Sequence, residues 1–204
     1  MRTLGWYLLA VSSAIVGLYA VALVASGFAF LPADIAANSL PWWLRVHIAA
    51  SGWALLLGPW QFRARLRQRH LRLHRVMGAG YVAACLVGGA AATASALGTT
   101  HGPVAASGFL CLAVAWLVTT ATALRRILAG DVDGHRRWMV RSYSLTFAAV
   151  TLRLYLGAAS ALGADYDTVY PVIAWLCWVP NLVIVLAATA RGAVSLVPPA
   201  PVER

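Results

Sequence analysis

Long apolar runs alternate with short polar connections along the chain, and the runs follow no two-residue alternation of the kind a half-buried strand needs. A helix crosses a bilayer with about 20 mostly apolar residues. Six runs reach that scale, approximately residues 5–30, 42–62, 76–99, 109–124, 138–162 and 170–190. The fourth is the shortest and is expected to begin earlier, near Val104. The first has too long an apolar part for a signal peptide and no clear cleavage site. The pattern predicts an all-α fold: a polytopic membrane bundle of six transmembrane helices in one domain, residues 1–194. Short connections make sequence neighbours pack antiparallel. Residues 195–204, with Pro198, Pro199 and Pro201, read as a disordered cytoplasmic tail.

Composition strengthens this picture, and charge gives it a direction. The 204 residues are 61% hydrophobic and only 11% charged, against about a quarter charged in a soluble domain. The formal net charge is +10, and every basic residue is Arg. The arginines cluster between apolar runs, which argues for loops of a membrane protein and against a nucleic-acid partner. Arg63, Arg65, Arg67, Arg69, Arg72 and Arg75 fill the second connection. Arg125, Arg126, Arg136, Arg137 and Arg141 flank the fourth, and Arg2, Arg191 and Arg204 lie near the ends. The remaining connections hold no Arg, while Asp34, Asp165 and Asp167 fall there. The positive-inside rule then puts both termini in the cytoplasm. The run RARLRQRHLRLHR suits anionic lipid headgroups, and His70 within it reads as solvated. Trp6, Trp42, Trp43, Trp60 and Trp138 fall near span ends, where interfacial anchors belong. Cys85, Cys111 and Cys177 lie in apolar runs and predict no disulfide framework.

Polar residues inside a span are costly and commonly functional. No Asp or Glu falls within any of the six runs, which counts against a carboxylate proton relay or a cation-coupled carrier. Arg153 is the sharpest anomaly. Helical side chains lean toward the N-terminus of their helix, so its guanidinium is expected to point into the bilayer. Its charge persists at any accessible pH and needs carbonyls, water, or an anionic ligand such as a cofactor carboxylate. His135 and Arg153 are eighteen residues apart, five helical turns, and share a face with Ser142 and Thr146 if the helix is unbroken. That stripe reads either as a hydrogen-bonded packing seam or as the wall of a ligand site. On the second run His47, Ser51, Ala54, Gly58 and Gln61 share a face, with a bend expected at Gly58-Pro59. Arg45 can snorkel outward. On the third, His74, Gly78, Tyr81, Cys85 and Gly88 align, and small residues there allow close packing of a helix or a flat ligand.

Histidine is thereby expected at both membrane faces: His74 and His135 inside, His47 and His101 outside. Imidazoles from facing helices can hold b-type haem, with Arg75 or Arg141 near the propionates. A second, weaker site would use His47, with His101 beside it in a Gly-Pro loop, and Arg153 would serve a ligand. This predicts haem iron on His74 and His135 in a membrane electron-transfer protein, an oxidoreductase subunit with a quinone or another donor. The competing expectation is a non-redox binding or transport protein for an anionic or amphipathic small molecule, anchored by Arg153. A third is an accessory subunit whose polar stripes bury against a partner. Asp131 and Asp133, in RILAGDVDGHRRW, are expected to cap or charge the start of the next helix or to pair with neighbouring Arg. They do not make a calcium loop. No phosphate-binding loop, dinucleotide fingerprint, zinc-protease motif or serine elbow occurs.

The stretches HIAASGWALLLGPWQF, LHRVMGAGYVAA, GDVDGHRRWMVRSYSLTFAAVTLRLY and YPVIAWLCWVPNL resemble the bacterial membrane family called domain of unknown function 2306. The resemblance covers most of the chain from the second span onward. It implies a multi-pass protein of the bacterial plasma membrane. It draws attention to His47, Gly58, Pro59, Gln61, His74, Arg75, Gly78, Tyr81, His135, Arg136, Trp138, Arg141, Arg153 and Asn181. His101 lies outside those stretches.

Overall fold

The structure, a computed structural model, describes residues 3–29 and 40–190; the tail from Ser195 lies outside them. All regular structure among the described residues is helical. Helix α1 is Thr3–Ala25, α2 Trp42–Gln61, α3 Ala64–Arg69, α4 Leu71–Leu97 and α5 Gly102–Leu128. Two further passages are each broken in two, α6 (Val132–Thr146) with α7 (Ala148–Ala161), and α8 (Tyr166–Leu176) with α9 (Val179–Ala190). Five stretches are long and apolar enough to cross a membrane: Leu4–Ala25, Leu71–Leu97, Gly102–Leu128, Val132–Ala161 and Tyr166–Ala190. The chain is a multi-pass helical bundle.

The run at 42–62 differs from the other five. It forms a helix of 20 residues, but Arg45, His47, Gln61 and the Gly58-Pro59 pair dilute its apolarity. It nevertheless packs between α1 and α4, so its low apolarity goes with a central position in the bundle. It buries the face that carries Gly52, Leu55, Gly58 and Gln61 and leaves Trp42, Trp53 and Trp60 exposed.

Helix boundaries also depart from the apolar runs, for local reasons. Helix α5 extends well beyond residues 109–124 at both ends. Pro103 sits in its first turn, where a missing N–H costs nothing. Arg125 and Arg126 occupy its last turn, where cations suit the helix dipole. Helix α6 begins at an N-cap: Gly134 N–H donates to Asp131 Oδ1 at 2.7 Å, as the sequence led one to expect. Asp165 caps α8 in the same way, accepting from Thr168 N–H at 3.0 Å. The Gly134 N–H holds the Asp131 carboxyl below the ordinary aspartate range, and the Thr168 hydroxyl, then its N–H, does so for Asp165. Between α5 and α6 the chain turns at Gly130, whose φ of 78° favours glycine.

The two helix breaks meet. Pro180 enters α9 without an N–H for the carbonyl of Leu176, so α8 and α9 part at Cys177 and Trp178. Asn181 Nδ2 spans the gap, 3.0 Å from Cys177 O, 3.1 Å from Thr151 Oγ1 and 3.4 Å from Ser144 O. Thr151 Oγ1 itself donates to the Cys177 carbonyl. Carbonyls freed by broken helices at membrane depth are thus satisfied inside the protein, as hydrocarbon requires.

At the bundle centre a layer of hydroxyls ties α4, α5 and α6 together. Tyr81 Oη lies 2.8 Å from Thr146 Oγ1 and 3.0 Å from Ser142 Oγ. Trp116 Nε1 donates to Thr146 Oγ1 at 2.9 Å, and Thr120 Oγ1 lies 2.7 Å from Ser142 Oγ. All five side chains are buried. Tyr143 joins α6 to α1 through Ser13 Oγ at 2.7 Å. Its ring lies against Gly58, where an added Cβ would stand 2.1 Å from Cε2. Gly58 is there because the Tyr143 ring occupies the place of a side chain.

Candidate functional site

Two cavities stack along the bundle, one toward the arginine-rich end and one toward the opposite end. Their order is legible along two helices. On α2, Ser51 and Leu55 line the far cavity and Gln61 lines the arginine-end cavity, with Gly58 between. On α6, His135 and Met139 line the arginine-end cavity and Leu145 and Thr146 the far one, with Ser142 between. The central hydroxyl layer therefore separates them.

The arginine-end cavity has a volume of about 990 Å³, within the roughly 300–1,000 Å³ range of small-molecule sites. His74 of α4 and His135 of α6 both line it. His135 Nδ1 is 2.9 Å from the Ala123 carbonyl of α5. A carbonyl only accepts, so Nδ1 carries a proton, and in the neutral ring Nε2 is the nitrogen left for a ligand. That is the tautomer and orientation a metal-ligating imidazole uses. His74 Nδ1 and Gln61 Nε2 are buried with no hydrogen-bond partner, two orphaned atoms on one cavity wall. Gly78, also on the wall, leaves only 3.3 Å from a built Cβ to Gln61 Oε1.

Cations gather at this cavity. Arg67, Arg75 and Arg136 line it, and His74 lies within electrostatic reach of all three and of His135. Partial burial, then the like charge of Arg136, pushes the Arg67 guanidinium below its ordinary value. An anion beside it would offset both. Arg141 is not brought to the cavity. Six residues beyond His135, it lies about 240° around the helix, and its guanidinium stacks 4.5 Å over the Trp138 ring. Arg67, on the short helix α3, takes the place expected for Arg141. Its alternation with Arg65 and Arg69 hid it in what read as a uniform basic loop. His70 is exposed, as expected.

The far cavity has a volume of about 500 Å³. His47 of α2, His101 at the start of α5 and Arg153 of α7 all line it. His47 Nδ1 donates to the Gly88 carbonyl of α4 at 2.9 Å, with Ser51 Oγ at 3.3 Å. Close helix approach at Gly88 permits this, since a Cβ there would meet Ala50 at 3.2 Å and Trp116 at 3.3 Å. His101 is held differently. Its ring lies 4.4 Å from that of Tyr170, and its Nδ1 is 3.7 Å from Asp167 Oδ1. Arg153 Nη1 donates to the Ala149 carbonyl at 2.8 Å, one turn toward the N-terminus of α7. The guanidinium leans inward, as side-chain direction on a helix dictates.

The stripe expected from His135 to Arg153 is thus divided. His135 belongs to one cavity and Arg153 to the other, Ser142 and Thr146 lie in the layer between, and the helix is interrupted at Phe147. Among the described residues no group of three or more His, Cys, Asp or Glu stands close enough to hold a metal ion.

Residues 44–188 match the model of a family described as a predicted membrane protein, domain of unknown function 2306. The chain belongs to this family. The matched segment contains both cavities' histidines, Arg153, Asn181 and the central hydroxyl layer, and leaves out α1. No curated protein and no solved structure matches the chain. The family gives membrane residence; any activity has to be argued from the two cavities.

Proposed function

We propose that the protein is a six-span electron-transfer protein of the bacterial plasma membrane, holding one b-type haem in the arginine-end cavity between His74 and His135. Helix α2 is the sixth span, and the arginine-rich end faces the cytoplasm, in keeping with the positive-inside rule. The observation that carries the reading is the pair of histidines, from α4 and α6, lining one cavity of about 990 Å³, one of them with Nδ1 tied to a backbone carbonyl.

Each residue then has a part. The Ala123 carbonyl fixes the His135 ring and makes its Nε2 a better ligand. His74, from α4, would supply the second imidazole. Arg67, Arg75 and Arg136 suit two carboxylates by charge and by their planar donor geometry. Gly78 keeps the α4 wall low enough for a flat ring to approach. Bound there, haem would supply a one-electron carrier near the cytoplasmic face. The hydroxyl layer behind it is buried and hydrogen-bonded, and it forms the wall between this site and the far cavity.

A second reading, a non-redox protein that binds or transports an anionic or amphipathic molecule, is favoured by one observation: Arg153 has no acidic partner among the described residues. The test that separates them is an absorption spectrum of the purified protein, oxidised and then dithionite-reduced, after expression with ample haem. The expected result is a reduced b-type spectrum at one haem per chain, lost in both His74→Ala and His135→Ala. A colourless protein, or haem retained by both variants, sinks the cytochrome reading.

A further inference from the structure

We propose that the far cavity binds a membrane amphiphile with an electron-rich oxygen head, which Arg153 holds while the apolar body lies in the cavity. Membrane quinones and fatty acids share this chemistry. The proposal rests on the binding reading of Arg153 given above, uses none of the haem-site residues and stands or falls separately from the haem reading.

The argument begins with the depth and direction of one charge. Arg153 lies eight residues before Ala161, the last residue of α7, roughly 12 Å along the helix at 1.5 Å per residue. Its guanidinium turns away from that end, toward the Ala149 carbonyl, so it does not snorkel to the nearer surface. A guanidinium has five N–H donors, and no acid pairs with it among the described residues. A permanent cation at this depth needs electron-rich oxygen.

The cavity supplies the rest of a site. Its wall is mainly apolar, with Val16, Leu55, Leu112 and Leu152, and the polar groups that converge on it include His47 and Ser51. With Nδ1 committed to Gly88, His47 is a second polar group on the wall of the same cavity. A few placed polar groups in an apolar hollow are the usual make-up of a small-molecule site. There is also an entrance. Val16 and Ala20 of α1 line the cavity together with Arg153 of α7, Tyr19 is within electrostatic reach of Arg153, and both Arg153 and Tyr19 are exposed. The cavity therefore reaches the lipid-facing surface between α1 and α7, the route a molecule dissolved in the bilayer would take. A second haem on His47 and His101 is the competing occupant. Against it stand the smaller volume, the inward cation and the engagement of His101 by Tyr170 and Asp167 at the cavity edge.

The experiment is a binding titration of the purified protein in lipid nanodiscs, with a short-chain ubiquinone analogue and with oleate. Quenching of tryptophan fluorescence is the readout, since Trp43 and Trp116 line the cavity. Saturable binding is expected, weakened at least tenfold in Arg153→Gln and restored in part by Arg153→Lys. Ala92→Phe, which fills the cavity without touching the charge, is expected to lose binding too. Binding of the quinone alone names a quinone site, and binding of oleate alone names a fatty-acid site. Equal affinity in wild type, Arg153→Gln and Ala92→Phe, or no saturable binding of either probe, overturns the proposal. So does a content of two haems per chain, one lost on both His47→Ala and His101→Ala. Because the titration needs no haem, a colourless protein that binds the probe upholds this inference while refuting the cytochrome.

Discussion

The two cavities are built with the same first move and finished differently. In each, one imidazole gives its Nδ1 proton to a carbonyl on a neighbouring helix, His135 to Ala123 and His47 to Gly88. In the arginine-end cavity the second imidazole comes from a helix wall, and the cations line the hollow beside it. In the far cavity the second imidazole is held at the edge by Asp167 and Tyr170, and the cation comes from within a span. A carbonyl-anchored histidine therefore does not define a ligand by itself. What stands opposite decides: a second nitrogen favours a metal, and a guanidinium favours oxygen.

The strongest way to break this comparison is to destroy the wall that keeps the cavities apart. Gly58 has no room for a side chain, because a Cβ there would be 2.1 Å from the Tyr143 ring. Gly58→Val forces Tyr143 off its place against Phe62 and Tyr81 or pushes α2 outward. Overpacking of this kind costs about 1–3 kcal/mol. Thermal unfolding in detergent should show a clear drop, and both haem retention and probe binding should weaken together. An unchanged midpoint would mean that Tyr143 swings away freely and the layer is no wall.

A finer cut is Tyr81→Phe, which keeps the ring and removes the hydroxyl shared with Ser142 and Thr146. Removing one member of a buried network leaves partners short of a bond, a cost of about 1–3 kcal/mol. Trp116 still donates to Thr146, so the loss is expected toward the lower end. Chemical unfolding of the two proteins side by side measures it. Equal stability would show that the remaining hydroxyls re-pair without Tyr81.

Much of this was readable in the sequence, and the misses have physical causes. Arginine clusters and apolar runs locate the spans because hydrocarbon penalises charge wherever it lies. The histidines sort into pairs because depth along a helix is a matter of counting residues. The interruption at Phe147 was not readable, since nothing around it announces a break, whereas the separation of His135 from Arg153 follows from eighteen residues at about 1.5 Å each. The α8–α9 break had a sign in Pro180. Arg141 lies off the cavity wall, which the sequence does not reveal, because charge reports the end of a helix but not its side. The hydroxyl layer joins residues up to 65 positions apart, and no local pattern reports such a meeting. Arg153 was read correctly in direction because a side chain's lean depends only on its own helix.

The next effect in size concerns the breaks that shape the far side of the bundle. Asn181→Leu removes the one side-chain amide placed to reach Cys177 O, Thr151 Oγ1 and Ser144 O. Thr151 still donates to Cys177, so one carbonyl keeps a partner and the cost is about 1–2 kcal/mol. Since Leu152 and Cys177 line the far cavity, probe affinity there should fall more than haem retention. A reversal of that order would place the influence of the breaks at the arginine end instead.

The smallest effect tests the arginine end from its surface. Asp131 caps α6, the helix that carries His135, and pairs with Arg126 at 3.1 Å. Its carboxyl is held below the ordinary range, first by the Gly134 N–H, so the folded state favours the ionised form. The sign follows from linkage: stabilisation by Asp131 is complete above the unfolded-state value of about 3.9 and is lost as pH falls through the lower folded-state value. Asp131→Ala should therefore unfold at a lower temperature than the wild type at neutral pH, and the gap should close in acid, below about pH 4. A gap that stayed constant down to the most acid pH would mean that the cap does not depend on the carboxylate charge. A gap that widened in acid would contradict the depressed value outright. Because the cap fixes only the first turn of α6, haem retention should respond less than in the Gly58 variant. If Asp131→Ala released haem completely at neutral pH, His135 would depend on its helix end for position more than on the Ala123 carbonyl.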